Sequence, residues 1–252
     1  MILKGCGAVV TGGGQGIGAA VARALARAGA TVIVAARSVD RVAAVAAEIQ
    51  RSGGDAFAVS CDVTNPESVR ALAGTAGARV PTVDILVNNA GSAHSAPLHR
   101  VTLEDWNRVL AVNATGTFLV TQAFLPAMLE RRRGAIVNVA SVAGLAGARY
   151  IAAYAAAKHA VIGFTRSIAA EVAGTGVTCN AVCPGYVDTA MTRESVARVV
   201  AKTGTTPAEA LQAMLAASAQ RRLITPEEVA HVVVDLCAQD TRNGEAIPIH
   251  GV

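Results

Sequence analysis

Seven short runs of β-branched and apolar residues, separated by longer stretches rich in alanine, constrain this chain more than any other feature. The runs are Gly7 to Thr11, Thr31 to Ala36, Asp55 to Ser60, Val83 to Asn88, Gly134 to Ala140, Gly176 to Cys183 and Ala246 to Ile249. The stretches between them carry apolar residues at helical spacing. Gln15 to Ala28 is one example, and Gly29 follows it as a C-terminal cap. Alternation of the two periods is the pattern of repeated βαβ units, so the chain is predicted to be α/β, with a parallel sheet lying between helices.

A composition of 52% hydrophobic and 16% charged residues argues against disorder and supplies apolar area for covering both faces of such a sheet. No low-complexity linker or internal repeat divides the 252 residues, so one domain spanning residues 1–252 is expected. Its five cysteines (Cys6, Cys61, Cys179, Cys183, Cys237) are odd in number and scattered without a CxxC pair. That usage predicts reduced thiols packed as small hydrophobes and no metal site. No apolar run reaches 18 residues, and Met1-Ile-Leu-Lys-Gly enters the first strand pattern almost at once. A cytoplasmic protein with no membrane partner is therefore expected. The formal charge of +4 is mild. Its one dense basic run, Arg131-Arg132-Arg133, falls at a helix C-terminus without interleaved aromatics, which reads as a solvated helix end and gives no nucleic-acid partner.

Between Pro184-Gly185 and the helix signal Thr225-Pro226-Glu227-Glu228 the chain makes a long excursion, Tyr186 to Ile224, with two short helix-like runs. It leaves the C-terminal end of a strand, the edge where open α/β sheets bind ligands, and is read as a substrate lid over residues 186–224.

Directly after the first strand, Thr11-Gly12-Gly13-Gly14-Gln15-Gly16-Ile17-Gly18 opens a helix. Gly12 permits a sharp turn, Gly16 lets the backbone approach a pyrophosphate, Gly18 allows close helix–sheet packing, and the helix N-terminus offers N–H donors. Strand, turn and helix together predict dinucleotide binding. The spacing is TGxxxGxG, and here the chain resembles the short-chain dehydrogenase/reductase family. Asn88-Asn89-Ala90-Gly91 after the fourth strand, Asn113 in Val112-Asn-Ala-Thr-Gly-Thr, Ser141 after the fifth, Tyr154 and Lys158 as YxxxK, and Pro184-Gly185 carry the resemblance over the whole chain.

The resemblance implies a Rossmann-type, doubly wound, seven-stranded parallel sheet. It assigns to the cofactor site Thr11, Gly12, Gln15, Gly16, Ile17 and Gly18 in the turn, Arg37, Asp62 and Val63 beyond the second and third strands, and Asn89, Ala90 and Gly91 beyond the fourth. Pro184, Gly185, Val187 and Thr189 follow at the foot of the lid, with Tyr154 and Lys158 completing the set. Asp62 is expected at the adenine edge.

Tyr154 and Lys158 are four apart in a segment, Tyr150 to Val172, that reads as a helix, so both project from one face. A phenol with a pKa of about 10 is a weak acid–base catalyst at neutral pH, and an adjacent ammonium would bring it toward the working range. By resemblance Lys158 also binds the nicotinamide ribose, Ser141 orients the substrate oxygen, and Asn113 holds a water linking the lysine to solvent. The reaction implied is hydride transfer between nicotinamide and a carbonyl carbon, with Tyr154 giving or taking the proton at oxygen. His159 turns about 100° away from the catalytic face and is set aside. Trp106 reads as a packing anchor, and His94 and His99 as loop residues that could border the substrate. Enoyl-thioester reductases space tyrosine and lysine more widely, and an inactive dinucleotide-binding regulator would not need the four intact positions.

At the end of the second strand an NAD enzyme normally places a carboxylate on the adenosine ribose; here the position is Ala36, followed by Arg37. That arrangement predicts NADP(H) preference, with NAD(H) the alternative. Gln15 stands where many NADP-preferring relatives carry a second basic residue. In the excursion, apolar Met191, Val199, Val200, Leu211, Met214 and Leu215 lie beside Arg193, Arg198, Lys202, Arg221 and Arg222. The combination suits an acyl chain on a phosphate-bearing thioester and is also that of an ordinary amphipathic helix. The general resemblance is to 3-oxoacyl-thioester and polyketide ketoreductases, so the expected partner is a small-molecule or thioester-bound carbonyl compound. A homotetramer built on the long helices Leu103 to Glu130 and Tyr150 to Val172 is expected from the same resemblance.

Overall fold

The computed structural model describes residues 2–239 and 241–252; Met1, where the N-terminal reading begins, lies outside them. Seven parallel strands form one sheet: β1 (Gly7–Thr11), β2 (Thr31–Ala36), β3 (Ala56–Ser60), β4 (Ile85–Asn88), β5 (Gly134–Val139), β6 (Val177–Pro184) and β7 (Ala246–Ile249). Their order across the sheet is β3-β2-β1-β4-β5-β6-β7. This is the parallel α/β sheet that the alternating periods predict, doubly wound as the family resemblance implies, and no strand end departs from its predicted position by more than two residues. The order reverses direction between β1 and β4, and their C-terminal ends open the crevice in which such sheets bind ligands.

Both faces of the sheet are covered. Val10, Val32, Val34, Ile85, Val87 and Val137 point to one core, shared with α1 (Gly16–Arg27), α2 (Val39–Arg51) and α9 (Pro226–Ala238). Their strand neighbours Val9, Ile33, Leu86 and Ile136 point to the other, shared with α3 (Pro66–Arg79), α5 (Gly116–Arg131) and α6 (Ala152–Glu171). Two-sided burial is why the strands read as continuous apolar runs. Helix starts follow local chemistry. Thr225 and Glu228 form a reciprocal capping box with Pro226 in the first turn of α9, and Thr206, Pro207 and Glu209 repeat it on α8 (Pro207–Ala217).

Two helices depart from the expected course. The stretch predicted as one helix from Leu103 to Glu130 is α4 (Leu103–Leu110), a π-helical turn (Ala111–Thr115) and α5. Asn113 lies in that turn, its amide donating to the Val109 carbonyl at 2.8 Å. Leu103–Arg131 is also the one helix among the described residues long and apolar enough to cross a membrane. Here Val120, Phe124, Leu125 and Met128 are buried in the protein core. The helix predicted from Tyr150 begins at Ala152, because Tyr150 adopts φ 68° and its carbonyl accepts from Ala96 N–H at 2.8 Å.

The basic run ends α5 as expected, but its guanidinium groups reach protein acceptors. Arg131 donates to the Val83 carbonyl at 2.8 Å and Arg132 to the Gly174 carbonyl at 2.9 Å, while Arg133 stands 3.6 Å from the Asp84 carboxylate. The excursion after β6 contains α7 (Ala190–Thr203) and α8, and a parallel bridge between Val187 and Ile224 closes its base.

Candidate active site

The glycine turn takes its shape from contacts with the β4 end. Gly12 has φ 64° and Gly16 φ 53°, a region that side chains disfavour. A Cβ on Gly18 would lie 2.4 Å from both the Gly12 carbonyl and Asn89 Nδ2, so α1 approaches the turn as closely as backbone allows. Thr11 Oγ1 accepts from the Asn89 and Ala90 N–H groups at 3.0 and 3.2 Å, and Asn89 Nδ2 donates to the Thr11 and Gly12 carbonyls at 2.9 and 3.1 Å. Thr11 and Gly18, assigned to the cofactor site from sequence, therefore stand behind its wall and shape it. Gln15 occupies the N-cap of α1 without a side-chain cap, which leaves the first-turn N–H groups of the helix available.

Every other assigned residue lines one cleft of about 1260 Å³. At one end stand Ala36, Arg37, Asp62 and Val63. The Asp62 carboxyl is held below the usual carboxylate range, first by the Thr64 N–H at 3.0 Å, then by the Thr64 hydroxyl at 2.8 Å and the nearby Arg37 guanidinium. Sequence reading did not single out Arg41. It lies in the first turn of α2, four residues beyond Arg37, lines the same end, and donates to Gln15 Oε1. Arg41 thus brings a second cation to the end of the cleft where Arg37 stands.

At the other end α6 places Tyr154 and Lys158 on one face, with Lys158 Nζ 5.6 Å from the Tyr154 ring centre. Lys158 is 4% exposed and donates to the Val139 carbonyl at 2.7 Å. Ser141 follows β5, and its hydroxyl donates to the Pro184 carbonyl at 3.3 Å and accepts from Ala143 N–H at 3.2 Å. Burial pushes the Tyr154 phenol up to about 12, against the pull of the Ser141 hydroxyl, and Tyr186 adds to the rise. Burial also brings the Lys158 ammonium down to about 8. In the protein by itself burial is the largest influence on both groups, raising the phenol and lowering the ammonium.

Asn113 is 1% exposed; its amide donates to the Ser92 and Val109 carbonyls, each at 2.8 Å, and its Oδ1 is shielded without a partner among the described residues. A Cβ on Gly91 would lie 2.9 Å from that oxygen and 3.8 Å from Lys158 Nζ, so the unpartnered acceptor and the lysine flank the same point. At the foot of the excursion Gln220, also missed from sequence, accepts from Tyr186 N–H at 2.7 Å and donates to the Tyr186 carbonyl at 3.3 Å. It fixes the course of the chain after Pro184-Gly185. Thr189 caps α7, its hydroxyl accepting from Thr192 N–H at 3.4 Å.

Of the excursion's apolar residues, Met191, Val199 and Met214 line the cleft, Val200 and Leu211 face a separate groove between α7 and α8, and Leu215 is buried. His94 lines the cleft with Nε2 3.6 Å from the Asp105 carboxylate, while His159 hydrogen-bonds the Ala155 carbonyl at 2.8 Å. Trp106 packs with Val109, Ala153 and Ala157, as an anchor should.

Residues 7–199 match the model of the short chain dehydrogenase family. A 3-oxoacyl-[acyl-carrier-protein] reductase of Synechocystis is 47% identical over 186 residues, 73% of this chain and 75% of that one. The 3-oxoacyl-[acyl-carrier-protein] reductase of Aquifex aeolicus is 40% identical over 252 residues, covering 99% and 97% of the two chains. Among solved structures, an actinorhodin polyketide ketoreductase variant with NADPH superposes with a TM-score of 0.93 at 36% identity, covering 98% of this chain and 96% of that one.

Proposed function

The chain belongs to the short-chain dehydrogenase family, and we propose that it is an NADP(H)-dependent oxidoreductase that interconverts a ketone and a secondary alcohol, reducing 3-oxoacyl thioesters or polyketide ketones. The observation that carries the reading is the convergence of Tyr154, Lys158 and Ser141 on the cleft that the glycine turn opens. The residues fit a dinucleotide. A positive-φ turn at an uncapped helix N-terminus suits a pyrophosphate, and the unpartnered Asn113 Oδ1 beside Lys158 suits a bridging water. Arg37 and Arg41 would hold the 2′-phosphate of NADP(H), with Asp62 at the adenine edge and Lys158 at the nicotinamide ribose.

Bound nicotinamide supplies or accepts the hydride. Ser141 donates a hydrogen bond to the substrate oxygen as charge develops there, and Tyr154 transfers the proton to or from that oxygen. Asn113 and Lys158 connect the phenol to solvent through water. The excursion 186–224 acts as the lid, covering the acyl portion with Met191, Val199 and Met214 within a single catalytic domain. The protein works in the cytoplasm as a homotetramer. Phe118, 43% exposed on α5, meets Phe164 of α6 edge-to-face at 6.4 Å, and this pair supports a face for a second copy.

Replacing Tyr154 with Phe is expected to abolish ketone reduction while NADPH still binds within a few-fold of the parent by fluorescence titration. Retention of most activity would sink the assignment.

A further inference from the structure

Five bases lie in the excursion, and their surroundings separate one from the rest. Arg193 pairs with Asp188 at 2.6 Å and Arg222 with Glu228 at 2.7 Å. Lys202 and Arg221 are exposed outside the cleft. Arg198 alone of the five lines the cleft that holds Tyr154 and Lys158. Its Nη2 donates to Ser195 Oγ at 2.9 Å, and that hydroxyl donates to the Met191 carbonyl at 2.9 Å, a chain within α7 that fixes the direction of the guanidinium. Arg198 Nε is shut off from solvent with no acceptor among the described residues. Asp62 is the one carboxylate lining the cleft among the described residues, and it follows β3, which β2, β1, β4 and β5 separate from β6 and its excursion.

Arg198 lines the cleft with its direction fixed by Ser195 and no carboxylate partner among the described residues, and a guanidinium presents paired donors that match the oxygens of a carboxylate or phosphate. We propose that Arg198 is a substrate-recognition residue that binds an anionic oxygen group on the substrate. Met191, Val199 and Met214 then take the apolar part beside it. The assignment rests on the ketone-reducing reading of the same cleft. The oxyanion has two sources, the substrate's own carboxylate in a free 3-oxo acid or the phosphate of a phosphopantetheine thioester.

Two matched pairs separate them: a 3-oxo acid against its methyl ester, and a 3-oxoacyl-CoA against the corresponding N-acetylcysteamine thioester. For each pair kcat/KM is measured with NADPH for the parent, Arg198→Gln and Arg198→Lys, and the readout is the ratio of the anionic to the neutral member. Loss of folded protein cancels in the ratio. The Gln variant is expected to lower one ratio on the order of tenfold to a hundredfold, the Lys variant recovering part of it. A drop in the acid-to-ester ratio identifies a carboxylate, and a drop in the CoA ratio a phosphate. Calorimetric dissociation constants of the hydroxy counterparts on the NADPH-loaded protein, a pair that cannot exchange hydride, give the same ratios without turnover. If the parent reduces none of the four, the 3-oxo reading falls, while the calorimetric ratios still decide Arg198. Ratios that stay the same in parent and Gln variant overturn the proposal.

Discussion

Lys158 is a cation confined among protein groups, 4% exposed, with a hydrogen bond to the Val139 carbonyl at 2.7 Å. Burial lowers its pKa from 10.5 to about 8. The consequence for stability has the opposite sign to that of a salt-bridged lysine. Below about pH 8 the side chain is charged in folded and unfolded chains alike, and the folded state carries the whole desolvation penalty. Between about pH 8 and 10.5 the folded protein releases the proton while the unfolded chain keeps it, so stability rises with pH and then levels off. At about 1.36 kcal/mol per pH unit the full interval amounts to about 3 kcal/mol. Lys158→Met removes the charge and keeps most of the side-chain length. The Val139 carbonyl loses its donor, but that loss is the same at every pH and cancels when parent and variant are compared at two pH values. Urea unfolding at pH 7 and pH 10 is expected to show the parent gaining about 2–3 kcal/mol relative to the variant. Parallel pH profiles, their separation changing by less than about 0.5 kcal/mol, would refute the reasoning.

Three further outcomes can be measured. An Ala36→Asp, Arg37→Ala double variant is expected to lose on the order of tenfold to a hundredfold in kcat/KM with NADPH while NADH turnover holds or improves; a parent that already prefers NADH contradicts the assignment. Arg41→Ala, read as NADPH and NADH dissociation constants by fluorescence titration, is expected to weaken NADPH several-fold and leave NADH unchanged, and equal effects on both count against a phosphate contact. Gly18→Ala puts a Cβ 2.4 Å from the Gly12 carbonyl, and overpacking against backbone is expected to cost about 1–3 kcal/mol, read as a Tm lower by roughly 2–12 °C in scanning calorimetry; an unchanged Tm would show that the helix can shift.

The strands were legible because burial on both faces turns each into an apolar run that needs no knowledge of its partners. Val32-Ile33-Val34 reads as a strand whichever face each side chain takes, although Val32 and Val34 belong to one core and Ile33 to the other. The two misread helix segments depend on contacts from elsewhere. Tyr150 leaves the helix where Ala96 N–H, 54 positions earlier, takes its carbonyl, and helical periodicity around Tyr150 carries no trace of that bond. The π turn at Ala111–Thr115 needs an extra residue per turn, and Asn113 favours it by bonding both Val109 one turn back and Ser92 outside the helix. Asn113 was identifiable as a poor helix-interior residue. The wider turn around it was not.

The site divides along the same line. Motif residues on one element, such as Tyr154 and Lys158 on α6, could be placed relative to each other by counting residues, because a helix fixes their spacing. Pairings between elements could not. Gln15 meets Arg41, Thr11 meets Asn89, and Gln220 meets the Tyr186 backbone, each across a gap that only the packed sheet closes. The Gln15–Arg41 pair shows what this implies for cofactor choice. A glutamine in the glycine turn, judged alone, weakens the case for a phosphate; held against an arginine from α2, it becomes the anchor that orients a second cation beside Arg37. On the proposal that Arg37 and Arg41 grip the 2′-phosphate, the β2–α2 junction and the turn act together, and a substitution at Gln15 that frees the arginine is expected to act on NADP(H) through Arg41. Gln15→Ala tests the coupling: it is expected to weaken NADPH binding in the parent and to have little further effect in Arg41→Ala, and additive losses in the double variant would show that the two side chains act independently.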